Sequence, residues 1–94
     1  MAQSNINSMY EELTYDLADR AKRIHEEQPE LDTYECVRQA IDDGFIYGVD
    51  EAYAVAHYMI NGGFKIGEQV DWDAFWTDFM EDIANDFEDL TNKE

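Results

Sequence analysis

Four stretches of the chain repeat their apolar residues at helical spacing, and short runs rich in Gly, Pro or Asp separate them. In the first, Leu13, Leu17, Ala21 and Ile24 recur at intervals of four, four and three, with Tyr10 and Ala18 widening the stripe. Ser8 and Glu11 have the form of a capping box, in which each side chain satisfies an orphan amide of the first turn. The pattern predicts a helix from Ser8 to about Gln28, where Pro29 turns its predecessor away from helical geometry. Residues 1–7 then form a flexible leader, and residues 8–94 a single domain.

The second stretch starts as plainly. Asp32 is placed to cap, Glu35 to return the bond, and Leu31 with Cys36 to staple the entry. Tyr34, Val37, Ile41 and Phe45 follow on one face, with Gly44 weakening the last turn and Gly48 as the expected stop. In the third, Asp50 to Asn61, Tyr53, Ala56, Met59 and Ile60 share a face while Ala52, Ala54, Val55 and Tyr58 keep the other apolar. Apolarity all round predicts the central helix, covered on several sides. The run from Gly63 to Gln69 is too short for a helix, and Phe64 with Ile66 alternates about Lys65, as a short irregular or β segment would. The fourth helix begins after an Asp71 cap. Trp72, Phe75, Trp76, Phe79, Ile83, Phe87 and Leu90 make its apolar band, which belongs to a core. The fold class predicted is all-α, a compact four-helix domain with short loops.

Charge changes this picture. The chain holds 23 Asp and Glu against 6 Lys and Arg, a formal net charge of -17 in 94 residues. Such an excess destabilises a compact state by self-repulsion, yet 45% hydrophobic and 14% aromatic content is that of a folding chain and not of a disordered acidic tail. Residues 68–94 carry ten of the carboxylates and one lysine, whereas residues 48–67 carry Asp50, Glu51 and Lys65. Asp78, Asp82, Asp86 and Asp89 follow at intervals of four, four and three and are expected as a ridge opposite Phe79, Ile83 and Phe87. At about 1.5 Å of rise per residue the ridge spaces its carboxylates roughly 5 to 6 Å apart, compatible with a string of phosphates. Glu81, Glu88 and Asp73 flank it, and Asp16 and Asp19 offer a second patch on the first helix.

An ordinary domain intersperses the two signs, because opposed pairs three or four apart stabilise a helix by about 0.2 to 0.5 kcal/mol and like pairs do the reverse. Two causes are open: adaptation to a salty cell, or a partner with a basic groove. A negative surface excludes direct binding of DNA or RNA.

Catalytic and metal chemistry find little support. The two histidines and one cysteine form neither HExxH nor CxxC, the DWDAFWTDFMED stretch has aromatics where a calcium loop needs oxygens, and no Glu has a His three residues later. The chain is therefore expected to be no enzyme and to need no metal or cofactor. Cys36 reads as a buried small hydrophobe and His57 as a packed histidine. No apolar run approaches the length of a membrane helix, and MAQSNINSMY resembles no signal peptide, so the expected location is the cytoplasm, that of the host cell if a phage encodes the chain.

In size, charge and organisation, carried by DLADRAKRIHEE, YECVRQAIDDG and WDAFWTDFMEDIANDFEDL, the chain resembles the small acidic DNA-mimic anti-restriction and anti-defence proteins of phages and plasmids, of the overcome-classical-restriction type. The likeness is one of character, without a diagnostic motif. It implies a helical bundle that inhibits a host defence protein, such as a restriction or CRISPR enzyme, by occupying its nucleic-acid cleft. The partner is then a basic nucleic-acid-binding protein, met through Asp16, Asp19, Asp78, Glu81, Asp82, Asp86 and Asp89. Two alternatives stand beside it: an immunity-type inhibitor of one toxic nuclease, anchored by a tyrosine such as Tyr53 or Tyr58, and a non-catalytic acidic interaction domain. A homodimer is also expected, its seam on Trp72, Phe75, Trp76 and Phe79, with Tyr10 exposed near the start of the first helix.

Overall fold

The computed structural model describes the backbone of residues 2–61, 65–66 and 69–92, and the side chains of residues 8–61 and 69–92. Four helices and one strand pair follow in chain order: α1 (Ala2–Glu27), α2 (Thr33–Gly44), α3 (Asp50–Ile60), β1 (Lys65–Ile66), β2 (Gln69–Val70) and α4 (Trp72–Asn92). This is the helical domain with a short β segment that the apolar pattern predicts. The two strands pair antiparallel, Lys65 opposite Val70 and Ile66 opposite Gln69. Phe64, expected in that segment, lies outside the described residues.

Capping chemistry sets two of the helix starts. At α2, the Glu35 amide donates to Asp32 Oδ1 at 2.8 Å and the Asp32 amide donates to Glu35 Oε1 at 3.4 Å, the reciprocal box read from the sequence. At α4, the Ala74 amide donates to Asp71 Oδ1 at 3.2 Å. The start of α1 is different: its backbone is helical from Ala2, so Ser8 stands inside the helix and residues 2–7 continue it. A Ser-x-x-Glu motif caps only where the preceding residues leave the helix, and here they remain in it.

The far end of α2 also differs from expectation. The helix stops at Gly44, four residues before the predicted Gly48, which instead takes φ +98° in the connection to α3. A Cβ on Gly44 would run into the Nε of Arg20, so the glycine lets the Arg20 side chain of α1 lie over the last turn of α2. That turn has no basic residue of its own, and the arginine supplies the cation that a helix C-terminus favours.

The long helix is the hub. At about 1.5 Å per residue its 26 residues span nearly the 41 Å long axis, and it packs against α2, α3 and α4. Leu17, Ala18 and Ala21 of α1, Cys36, Val37 and Ala40 of α2, and Phe75, Phe79 and Ile83 of α4 have essentially no exposed surface. Cys36 is therefore the small core side chain expected. Burial, and then the nearby charges of Asp32 and Glu35, hold its thiol pKa above the usual range. Phe75, Phe79, Phe45 and Trp76 touch one another through stacked, tilted and edge-on contacts with centroids 5.0 to 5.9 Å apart.

Helix α3 is not the central one. It buries only Ala54 and Tyr58, while Tyr53, Met59 and Ile60, which share the other face, point to solvent instead of being covered. The expected dimer seam is also largely spent inside the monomer, because Phe75 and Phe79 are core; of those four aromatics only Trp72 is exposed. No helix among the described residues is long and apolar enough to cross a membrane.

Candidate functional site

Helical geometry moves the acidic ridge of α4 from its expected place. Counting about 100° per residue, Asp78, Asp82, Asp86 and Asp89 centre about 80° from the buried stripe of Phe75, Phe79, Ile83 and Phe87, not opposite it. They therefore run along the flank that faces α1. Glu81 and Glu88 are the residues opposite the core, and they line a shallow cleft with Asp32 and Tyr34 at the N-terminus of α2.

Two ridge residues are built into the contact with α1. The Tyr10 hydroxyl donates to Asp82 Oδ2 across 72 positions of sequence. Tyr10, expected to be exposed, is 7% exposed; its ring stacks on His57 of α3 with centroids 3.7 Å apart and planes at 6°, and tilts against Phe79. One tyrosine thus joins α1, α3 and α4. Its pKa is raised, first by burial, then by the bond to Asp82 and by the charges of Asp82, Asp78 and Asp86, so it remains a hydrogen-bond donor at any ordinary pH.

Asp86 is half-buried beside Thr14. Loss of water raises its pKa and a hydrogen bond with the Thr14 side chain lowers it, while Asp89, Asp82 and Glu11 push it up again. His57 is shifted the other way. Burial lowers its pKa, against the charges of Asp82 and Glu11 that raise it, and the imidazole is held neutral near pH 7.

Between the two helices opens a cleft of 450 Å³, with Glu11, Thr14 and Tyr15 on the α1 side and Asp82, Asn85 and Asp86 on the α4 side, and with Tyr10 and His57 in its lining. Its chemistry is that of a carboxylate-rimmed groove with aromatic walls, suited to cationic groups and not to phosphates. Asp78 and Asp89 extend the negative rim along α4, and both are exposed.

Asp16 and Asp19 do not line this cleft, although Asp16 adjoins its Glu11 and Tyr15 on α1. They line a separate cleft of 660 Å³ on the other flank of α1, together with Arg20, Arg23, Asp43 and Asp50. There Asp19 pairs with Arg23 at 3.2 Å, one turn along the helix. The seven expected contact residues therefore fall on three surfaces, of which the α1–α4 flank gathers four. Among the described residues no group of three or more His, Cys, Asp or Glu is placed to hold a metal ion.

Tyr10, Thr14 and His57 were not singled out for this site from sequence. A trace of it was present, because Thr14 is a polar residue within the apolar stripe of α1, and Tyr10 with Thr14 repeats the four-residue step of Asp82 with Asp86. No family model, no curated protein and no solved structure matches the chain.

Proposed function

We propose that the protein is an inhibitor that places its carboxylates in the phosphate-binding cleft of a basic nucleic-acid-binding protein, as the resemblance to DNA-mimic anti-restriction and anti-CRISPR proteins implies. The observation that carries this reading is the line of Asp78, Asp82, Asp86 and Asp89 along α4, set beside Glu11 of α1 on a folded surface of a chain with net charge -17. A row of charges on a packed helix is pre-organised, so little ordering is lost when it docks. The field also draws a basic partner in and repels the nucleic acid it competes with. The protein performs no chemistry in this role.

The test is competition with duplex DNA for a DNA-binding defence enzyme at several salt concentrations. Asp82 and Asp86 also serve the fold, so the informative variants are Asp78→Lys and Asp89→Lys. Together they are expected to weaken inhibition by at least about tenfold and to flatten its dependence on salt. Inhibition that ignores both salt and these substitutions would sink the proposal.

The alternative of a single-target nuclease inhibitor retains one of its two tyrosines. Tyr53 is exposed, whereas Tyr58 is 8% exposed and packs edge-on against Phe75. Protection against one nuclease only, lost in Tyr53→Ala with the acidic variants intact, would favour that reading.

A further inference from the structure

The solvent face of α3 is built unlike the rest of the molecule. Val49, Ala52, Tyr53, Ala56, Met59 and Ile60 occupy it, and none carries a charge. Tyr53, Met59 and Ile60 are 41%, 37% and 44% exposed. The two acidic residues of the helix, Asp50 and Glu51, sit at its first turn on the flanks that turn inward, both half-buried. Contiguous apolar surface of this kind marks an interaction site more often than a solvent-facing wall.

We infer that this face is where two copies of the chain meet, as a two-fold dimer of α3 helices. Charge decides the occupant. Two bodies of net charge -17 repel wherever carboxylates confront carboxylates, and the α3 face carries none of its own, although Tyr53 at its edge borders the cleft lined by Glu12, Asp16 and Asp50. A basic partner, in contrast, is drawn to the ridge of α4. In an antiparallel pair the small side chains of Ala52 and Ala56 on one helix would leave room for Tyr53 and Ile60 of the other, and a two-fold axis would repeat the contact. An 11-residue helix offers a strip about 16 Å long, so the interface is at the small end of the range and its affinity on the order of micromolar. The dimer does not rest on the proposed inhibition.

Sedimentation equilibrium at about 0.05 and 0.5 M salt tests it. The expected result is a dimer that tightens about tenfold with salt, because screening removes the remaining repulsion between the two bodies while the apolar contact persists. Ala56→Glu and Tyr53→Glu, each at a position outside the core, are expected to give monomers with unchanged helicity by circular dichroism, whereas Trp72→Ala leaves the dimer intact. A wild-type monomer at both salts and high concentration overturns the inference. So does a dimer that survives both glutamate variants, or one abolished by Trp72→Ala. A monomer whose Ala56→Glu variant fails to bind a target that the wild type binds would assign the face to that target instead.

Discussion

The flank of α4 that faces α1 and the outer face of α3 answer solvent in opposite ways. Helix α4 carries seven carboxylates and no lysine or arginine over 21 residues, and the carboxylates nearest α1 take part in its packing through Tyr10 and Thr14. The outer face of α3 carries no charge at all and leaves aromatic and aliphatic side chains uncovered. A chain made acidic merely to stay soluble in salt would charge each exposed surface. Here exposed carboxylates cover α1, α2 and α4 and are withheld from the outer face of α3.

The largest expected effect comes from breaking the anchored side. Phe79 is fully buried against Phe45, Phe75, Trp76 and Tyr10, so Phe79→Ala should cost about 3 to 5 kcal/mol in urea unfolding. Ile60→Ala on the open side should change stability by less than about 0.5 kcal/mol under dilute, monomeric conditions. Equal losses at the two positions would mean that α3 is covered after all.

A smaller effect sharpens what the ridge does for the fold. Tyr10→Phe retains the ring on His57 and removes the hydrogen bond to Asp82, for an expected loss of about 1 kcal/mol, read as a shift of the urea midpoint at constant slope.

Two pH effects follow with opposite signs. Asp86, whose pKa is raised, binds its proton more tightly in the folded chain than in the unfolded one. Its ionisation therefore opposes folding as pH rises from the unfolded value near 3.8 through the raised one, and the penalty is complete above that. Asp86→Asn should be more stable than wild type at pH 7 and indistinguishable from it at pH 3, by thermal unfolding. His57, whose pKa is lowered, is bound by fewer protons folded than unfolded, so stability falls as pH drops below about 6.5 toward the lowered value. His57→Gln should flatten the stability profile between pH 7 and 5.5, and a profile equally steep without His57 would assign the slope to another group.

What the sequence reveals divides along the same line. Local signals are legible: the Asp32–Glu35 box, the Asp71 cap and the aromatic stripe of α4 each depend on neighbours within a few residues. The face of α3 is not, because an 11-residue helix with apolar side chains all round has no single direction to prefer, and the three larger helices decide which side is needed. The ridge of α4 is legible as a row of charges but not in its orientation, since its four aspartates flank the stripe and either neighbour could have taken that flank. The bond of Tyr10 to Asp82 joins positions 72 apart and exists only once α1 and α4 have been laid side by side.

The thin attachment of α3 has a consequence in time. A helix that buries only Ala54 and Tyr58, and is joined to α1 through the Tyr10–His57 stack, is expected to separate from the rest at a lower free energy than the other described helices. Its backbone amides should exchange with deuterium through local opening, while those of α1 and α4 around Leu17 and Phe79 wait for global unfolding. Each such opening bares Phe75, against which Tyr58 rests, for as long as the helix is away. A second copy laid across the outer face would prolong the closed periods, and the exchange rate of α3 would then record how often the protein is alone.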